Sequence, residues 1–452
     1  MSIDSPDFER FDTRSFKLLN GIEQSSLRMR QILSFLFIAF LFYVFTDGQV
    51  FHQREISDLA DIVETSDQGD SVRQLFYVSL AAFFFFVTVR HGASALFRPF
   101  PISLVMLVVW CFISSSWAIV PAVSFRRIVL ATIVIFATVE IVNLLGINAT
   151  TNLMYKVLTT LLLINWLTVV AVPSLAIHSQ MELDTALVGA WHGIMPHKNI
   201  ASAVTALSCV FFGYRAIMKR SVVHFVLLIL AIGFLIGTRG KTSLGFVLPC
   251  IFASVAYNYS YSLKDRKFIT FLMLTVSVVL LSLLVIVFEN TIQDVFSNPE
   301  SFTGRVSIWE IVMRYADQNL FTGAGFGSFW MIGNSSPILT IGGDMPWLFG
   351  IAHSHNGYLE MLVTTGLIGL TLTIYTLVVL PFYRFYVGSK ANREINGLYF
   401  GIWMFSVLYN LLETHIMNRD RQVWVIMLIA VEVCFLLHQG GKQAKPGEVR
   451  GG

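Results

Sequence analysis

The chain has 452 residues, 55% hydrophobic, 14% aromatic and 13% charged, with a mean hydropathy of +0.68. Soluble domains carry about 25% charged residues, so these values exclude a soluble enzyme, or a soluble domain on one anchor, and require a polytopic membrane protein. The net charge of +3 is too small to mark a nucleic-acid surface, and no nucleic-acid partner is expected.

Residues 1–28 are polar and basic. The first apolar run, near 29–47, has no small-residue cleavage site after it, so it reads as a retained membrane helix and not a signal peptide. A helix needs about 20 apolar residues to cross the hydrocarbon core. Runs near 72–90, 99–117, 126–146, 154–175, 199–217, 222–238, 242–258, 268–288, 357–383, 395–413 and 421–438 follow, for about twelve spans and an all-α fold. Cys111, Cys209, Cys250 and Cys434 all lie in apolar stretches with no Cys-x-x-Cys, so neither a disulfide framework nor a metal cluster is expected.

Lys and Arg bias sets the orientation. Arg10, Arg14, Lys17, Arg28 and Arg30 put the N-terminus in the cytoplasm. Arg215, Lys219, Arg220, Lys264, Arg266, Lys267, Arg384, Lys390 and Arg393 then fall on the same side, as does the C-terminus. The expected organisation is a cytoplasmic tail (1–28), membrane helices one to nine (29–288), a long periplasmic loop (289–356), membrane helices ten to twelve (357–438) and a second cytoplasmic tail (439–452).

Long loops in compact proteins are functional or carry structure of their own. Within 289–356, TGRVSIWEIVMRYADQ (303–318) sets Val306, Trp309, Ile311, Val312 and Tyr315 at helical spacing, which predicts a helix at the membrane surface. TGAGFGS (322–328) carries Gly323, Gly325 and Gly327 but follows no predicted strand, so a turn is expected and not a nucleotide site. Glu140 and Glu432 lie within spans and are expected to face the bundle interior.

Basic residues on the outer side oppose the positive-inside tendency. Arg126, Arg127, Lys198, Arg239, Lys241 and Arg305 come from separate segments, and all fall at an outer helix mouth or in the long loop. One such residue alone reads as a side chain snorkelling to the headgroups. The group together, with His197, His353 and His355 alongside, reads as a polyanion clamp, because guanidinium forks match phosphate oxygens. A lipid diphosphate is the natural anion at that level.

HSHNGYLEMLVTTGLIGL opens a membrane segment with His353 and His355, and Asn356 is placed to cap the helix. Histidine titrates near pH 6.5 when unperturbed, so it suits a general base toward a sugar hydroxyl. The plainer alternative is a pair of interfacial polar residues. A metal site would need a third ligand, and none stands at a telling spacing. Glu413 and His415 lie near an outer helix end, with structure or substrate contact as their alternatives.

HSHNGYLEMLVTTGLIGL, preceded by GRVSIWEIVMRYADQNLFTGAGFGSFW, resembles the signature of the bacterial O-antigen ligase and O-antigen polymerase (Wzy-type) superfamily. GIMPHKN (193–199), SSSWAIVPAVSFRR (114–127) and GTRGK (237–241) are similar to further blocks of its exopolysaccharide-producing members. The resemblance implies a metal-independent, inverting glycosyltransferase of the bacterial inner membrane. It implies a glycan on undecaprenyl diphosphate as donor, no cofactor, and a site facing the periplasm. The implied base pattern, His-[Asn/Ser/Gln]-x9-Gly, is matched by His355, Asn356 and Gly366. Arg239 and Arg305 match its periplasmic arginines. An Arg-x10-Gly pattern seen in some polymerases of the family is absent, since Ala316 and Cys250 stand where the glycines would.

The expected catalytic residues are therefore His355, Arg239 and Arg305. Arg126, Arg127, His197, Lys198, Lys241, His353, Asn356 and Glu413 are expected to contact substrate. Polymerisation of lipid-linked repeat units is the first reading, because GIMPHKN and SFRR look most like the exopolysaccharide members. Ligation to a lipid core acceptor, or transport of lipid-linked or anionic solutes, are the alternatives. Beyond the bilayer and the lipid-linked glycan, flippase and chain-length or export proteins are the expected partners.

Overall fold

A computed structural model describes residues 27–48, 71–90, 100–179, 187–260, 305–342, 351–388, 392–419 and 421–443. The expected span at 268–288, residues 1–26 of the first tail and residues 444–452 of the second lie outside the described residues. Numbered in order among those residues, the helices are α1 (Leu27–Thr46), α2 (Ser71–Val89), α3 (Ile102–Ser114), α4 (Pro121–Leu145), α5 (Ile147–Ala171), α6 (Pro173–Ala176), α7 (Lys198–Lys219) and α8 (Val222–Gly237). They continue with α9 (Lys241–Ser260), α10 (Arg305–Gln318), α11 (Pro337–Gly342), α12 (Gly357–Ile374), α13 (Leu380–Tyr386), α14 (Arg393–Tyr409) and α15 (Gln422–Gln443). A π-turn, Tyr375–Val379, joins α12 to α13.

Among the described residues, 8 helical segments are long and apolar enough to cross a membrane: α1, α2, α4, α5, α7, α9, the α12–α13 unit (Gly357–Tyr386) and α15. α3, α8 and α14 also fall on expected spans but are shorter. The expected boundaries shift for local reasons. Pro121 supplies a ready-made first helical position, so α4 begins five residues before the expected 126. Gly146, at φ 77 and ψ 163, divides α4 from α5 in a conformation only glycine adopts readily, so α5 starts at Ile147. α14 stops at Tyr409 because Asn410 turns the chain. Its Oδ1 accepts the His415 and Ile416 N–H groups at 2.9 Å each.

α7 and α15 are the most enclosed of the spanning helices. Small side chains permit this where lipid gives no hydrophobic driving force between helices. Ala201, Ala203, Ala206 and Ser208 line α7 and are all buried. A Cβ on Gly213 would meet Ile251 of α9 at 2.6 Å, and one on Gly401 of α14 would strike the Ser254 hydroxyl of α9. Glu140 and Glu432 are buried as expected, and Glu140 accepts a 2.9 Å hydrogen bond from Thr88. The four cysteines are buried and free.

The long loop carries the expected helix. α10 begins at Arg305 and buries Val306, Ile308, Ile311, Val312 and Ala316. With Ala324, Phe329, Trp330, Ile338 and Val363, the middle of that face forms a second apolar core at one end of the bundle. The glycine-rich stretch makes tight turns, with Gly323, Gly325 and Gly327 all at positive φ. It docks on the connection between α3 and α4: Ile119 N–H donates to the Ala324 carbonyl (3.1 Å) and Phe326 N–H to the Ser114 hydroxyl (3.1 Å).

The same stretch docks on α12 where that helix breaks. Gly366 lies at φ 69 and ψ −174, outside helical geometry. The freed Leu367 N–H donates to the Leu320 carbonyl at 2.7 Å, and Ala324 N–H donates to the Val363 carbonyl at 2.9 Å. A Cβ at Gly366 would collide with the Phe321 carbonyl. Gly366→Ala is therefore expected to destabilise by more than about 1 kcal/mol, since strain at positive φ and a backbone collision add. The measurement is the melting temperature, with the rate of proteolytic cutting between 319 and 328; an unchanged cutting rate would refute the docking.

Candidate active site at one end of the bundle

The α14–α15 connection and the start of α12 meet beneath α10. Asn356 caps α12, its side chain accepting the Tyr358 and Leu359 N–H groups at 2.9 and 3.1 Å. Its own N–H donates to the Thr414 hydroxyl at 3.0 Å, and Gly357 N–H donates to the Asn410 carbonyl at 2.8 Å. Ser354 is wholly buried. Its N–H reaches Glu360 Oε2 (3.0 Å) and its carbonyl accepts from Trp309 Nε1 of α10 (2.9 Å). These bonds over-determine the two-residue step between Ser354 and Asn356, and so hold His355 at φ 53, where a side chain costs about 1–2 kcal/mol.

Glu413 joins the two parts of the centre. Its Oε1 accepts from Arg305 Nη2 at 2.6 Å, and its Oε2 faces His355 Nδ1 at 3.4 Å. Burial pushes its carboxyl up, but the His355 hydrogen bond and the Arg305 charge outweigh it and hold Glu413 at about 2. An ionised Glu413 requires the proton of His355 to sit on Nδ1, which leaves the Nε2 lone pair free to accept another.

His353 is arranged the opposite way. Its Nδ1 accepts the His355 backbone N–H at 3.3 Å, and the two rings stand 4.2 Å apart, edge to face. Burial, then the charges of His355 and Arg421, hold it well below the ordinary histidine range. His353 is thus neutral and presents Nε2–H as a donor. His415 is likewise held down, to about 3, by burial and then Arg421.

A second group of expected residues lies across Tyr409. Its hydroxyl lies close to Ser202 and Ser243, which bond each other at 2.9 Å. Ser202 is one turn into α7 from Lys198, and Ser243 two residues into α9 from Lys241. His197 caps α7 through Nδ1 (3.1 Å to Asn199 N), and its ring packs on His178. Arg239, exposed and at φ 55, donates Nη1 to the Val188 carbonyl at 2.8 Å. The structure therefore gathers His197, Lys198, Arg239 and Lys241 on one side of Tyr409, and Arg305, Glu413, His355, His353 and Asn356 on the other.

Arg127 is placed differently. Its guanidinium donates to the carbonyls of Gly327, Trp330 (2.9 Å) and Met331 (3.0 Å), bracing the glycine-rich stretch. Trp330 in turn donates Nε1 to Glu360 at 2.8 Å, so Arg127 supports the His355 step through two intermediates. Arg126 is its half-buried neighbour on α4. Sequence reasoning passed over Asn410, Thr414, Ser354 and Arg421. Arg421 opens an expected span and reads there as a flanking charge; the others are small polar residues that join the α14–α15 connection to the start of α12 through partners distant in the chain, Asn410 to Gly357, Thr414 to Asn356 and Ser354 to Trp309.

Residues 224–374 match a family model described as O-antigen ligase (Wzy_C). The match spans about a third of the chain, from α8 through α12, and holds Arg239, Arg305, His353, His355, Asn356 and Gly366. The resemblance to the O-antigen ligase and polymerase superfamily is borne out there. No curated protein matches the chain.

Acid should loosen this centre. His353 and His415 bind protons more weakly folded than unfolded, so stability falls as pH drops below about 6.5; Glu413 binds them more weakly too, and adds a further loss from about 4.5 toward 2. The melting temperature of detergent-solubilised protein should drop through this window, and His415→Asn should flatten its upper part. A profile flat from pH 7 to 4 would contradict these protonation states.

Proposed function

We propose that this chain, which carries an O-antigen ligase domain, polymerises polyprenyl-diphosphate-linked oligosaccharide repeat units at the periplasmic face of the bacterial inner membrane. The observation that supports it best is the line Arg305–Glu413–His355, which pairs an oriented base with a cation at its other end.

In this reading the acceptor hydroxyl gives its proton to His355 Nε2 as its oxygen attacks the anomeric carbon. The bond from that carbon to the diphosphate oxygen breaks on the opposite face, so configuration inverts. The leaving lipid diphosphate gathers negative charge, which Arg305, Lys198, Arg239 and Lys241 balance, with no metal in the step. Glu413 keeps His355 in the right tautomer and stabilises its protonated form, as a carboxylate does for histidine in other base-catalysed transfers. α10 and the turns after it cover the centre and exclude water, which would hydrolyse the donor.

The O-antigen ligase description of the matched domain favours a second reading, in which the acceptor is a lipid core glycan. Purified protein given lipid-linked repeat units alone should lengthen them; linkage only after a lipid core acceptor is added would favour the ligase, and movement without linkage a transporter.

His355→Ala should remain in the membrane and make no polymer, and near-normal polymer would remove it as base. Glu413→Gln should lower the rate by about 10²–10⁴-fold with little change in KM, because it withdraws orientation of the base and not substrate contact. For orientation, Ser335→Cys at the site end should react with an impermeant thiol reagent from the periplasmic side. Lys219→Cys, at the opposite end of α7, should not; the reverse pattern would overturn the topology.

A further inference from the structure

Leu320 and Phe321 are 41% and 63% exposed on the turn that follows α10, where a turn in water would carry polar side chains. One exposed apolar residue is ordinary. These two differ in what they adjoin. The turn is fastened to the break in α12, and Leu367 and Ile368, just past the break, are exposed as well. On its other side Trp117 Nε1 donates to the Thr322 carbonyl at 3.0 Å, and Trp110 Nε1 donates to the Thr365 carbonyl of α12 at 2.9 Å. The two indoles stand 5.7 Å apart. Along α3, Ile102, Met106, Val109 and Ile113 are exposed at helical spacing and lead up to this pair. The apolar tip of the turn is therefore continuous with the outward faces of α3 and α12.

The level of the turn follows from the span it is tied to. Glu360 and Arg384 bound an uncharged stretch, 361–383, of the α12–α13 unit. Gly366 lies five residues inside that stretch, about 8 Å at the helical rise. The turn thus meets α12 within its apolar part and not beyond its end. Main-chain groups at such a level need partners inside the protein. Gly323 N–H donates to the Asn319 carbonyl at 2.9 Å, the Leu320 carbonyl and Ala324 N–H bond α12, and the Thr322 carbonyl is taken by Trp117. Arg314 and Asp317, earlier on α10, are exposed and form a charged rim before the apolar tip.

We infer that the turn at 319–324 is a membrane anchor, whose Leu320 and Phe321 insert into the acyl chains of the leaflet on the site's side. The partner is the hydrocarbon of the bilayer, the medium that the exposed faces of α3 and α12 already meet. Apolar surface at this boundary enters by about 5–10 Å, and tryptophans collect at the headgroup level above it, as Trp110 and Trp117 do here. The segment that covers His355 is then held from two directions, by α12 on one side and by lipid on the other. The inference rests on the membrane reading of the helices and not on what the site transfers.

Spin labels at Phe321→Cys, Leu320→Cys, Ile368→Cys and Ser335→Cys test this on the full chain in nanodiscs of phosphatidylcholine and phosphatidylglycerol; the four native cysteines are buried. Collision with oxygen, which concentrates in hydrocarbon, is compared with collision with a nickel chelate, which stays in water. The oxygen-to-nickel ratio at 320 and 321 should approach that at 368, on the outward face of α12, and exceed that at the exposed 335 several-fold. Leu320→Cys carries the test should Phe321→Cys fail to fold. A ratio equal to that at 335 would put the turn in water and overturn the inference. Labels shielded from both reagents would mean that protein covers the turn, from this chain or a second copy, and would overturn it too. Oxygen collision that rises only after undecaprenyl diphosphate is added would assign the surface to a polyprenyl chain instead of the bilayer.

Discussion

The centre depends on one carboxylate. Glu413 is 7% exposed and ionised, and a buried anion survives only with its charge answered and its lone pairs used. Arg305 answers the charge from the first turn of α10, and His355 takes the second oxygen from the step before α12. One side chain between α14 and α15 thereby ties the covering helix to the start of a membrane span. Taking Glu413 away leaves a guanidinium with no anion and an imidazole with no fixed tautomer. The other polar bonds nearby, from Asn410, Thr414, Ser354 and Trp309, position the backbone so that this carboxylate can be reached from both sides.

The two histidines show how the backbone separates roles that composition leaves equal. Their rings are 4.2 Å apart and both are partly enclosed. The left-handed conformation of His355 turns its N–H back onto His353, which occupies the lone pair His353 would need to act as a base at Nδ1. The same turn sends the His355 ring toward Glu413. A difference in hydrogen-bonding partner therefore follows from one backbone angle, kept in place by the hydrogen bonds of Ser354 and Asn356.

Much of this was readable beforehand, and what was not shares a cause. Apolar runs and their punctuation located the helices, since length and hydropathy are local properties. The spacing His355–Asn356–x9–Gly366 marked the centre, and helical periodicity marked α10. Arg127 stands out in the sequence as an unusual charge, yet its contacts are carbonyls about 200 residues away. Asn410 and Arg421 carried no local signal: one ends an apolar run and the other begins one. The roles of such residues are fixed by what the chain brings back to them, and single-chain patterning does not contain that.

The break in α12 separates what holds the covering segment from what the segment is made of. Where Gly366 interrupts the helix, the turn at 320–324 is fastened by Leu367 N–H to the Leu320 carbonyl and by Ala324 N–H to the Val363 carbonyl. Main-chain groups are the same in every residue, so this attachment is indifferent to the side chains around it. Apart from the glycines the bends require, the neighbouring surface is at liberty to change in charge and size while its anchorage to α12 stays put. A scaffold built this way can vary its covering surface without rebuilding the joint at Gly366.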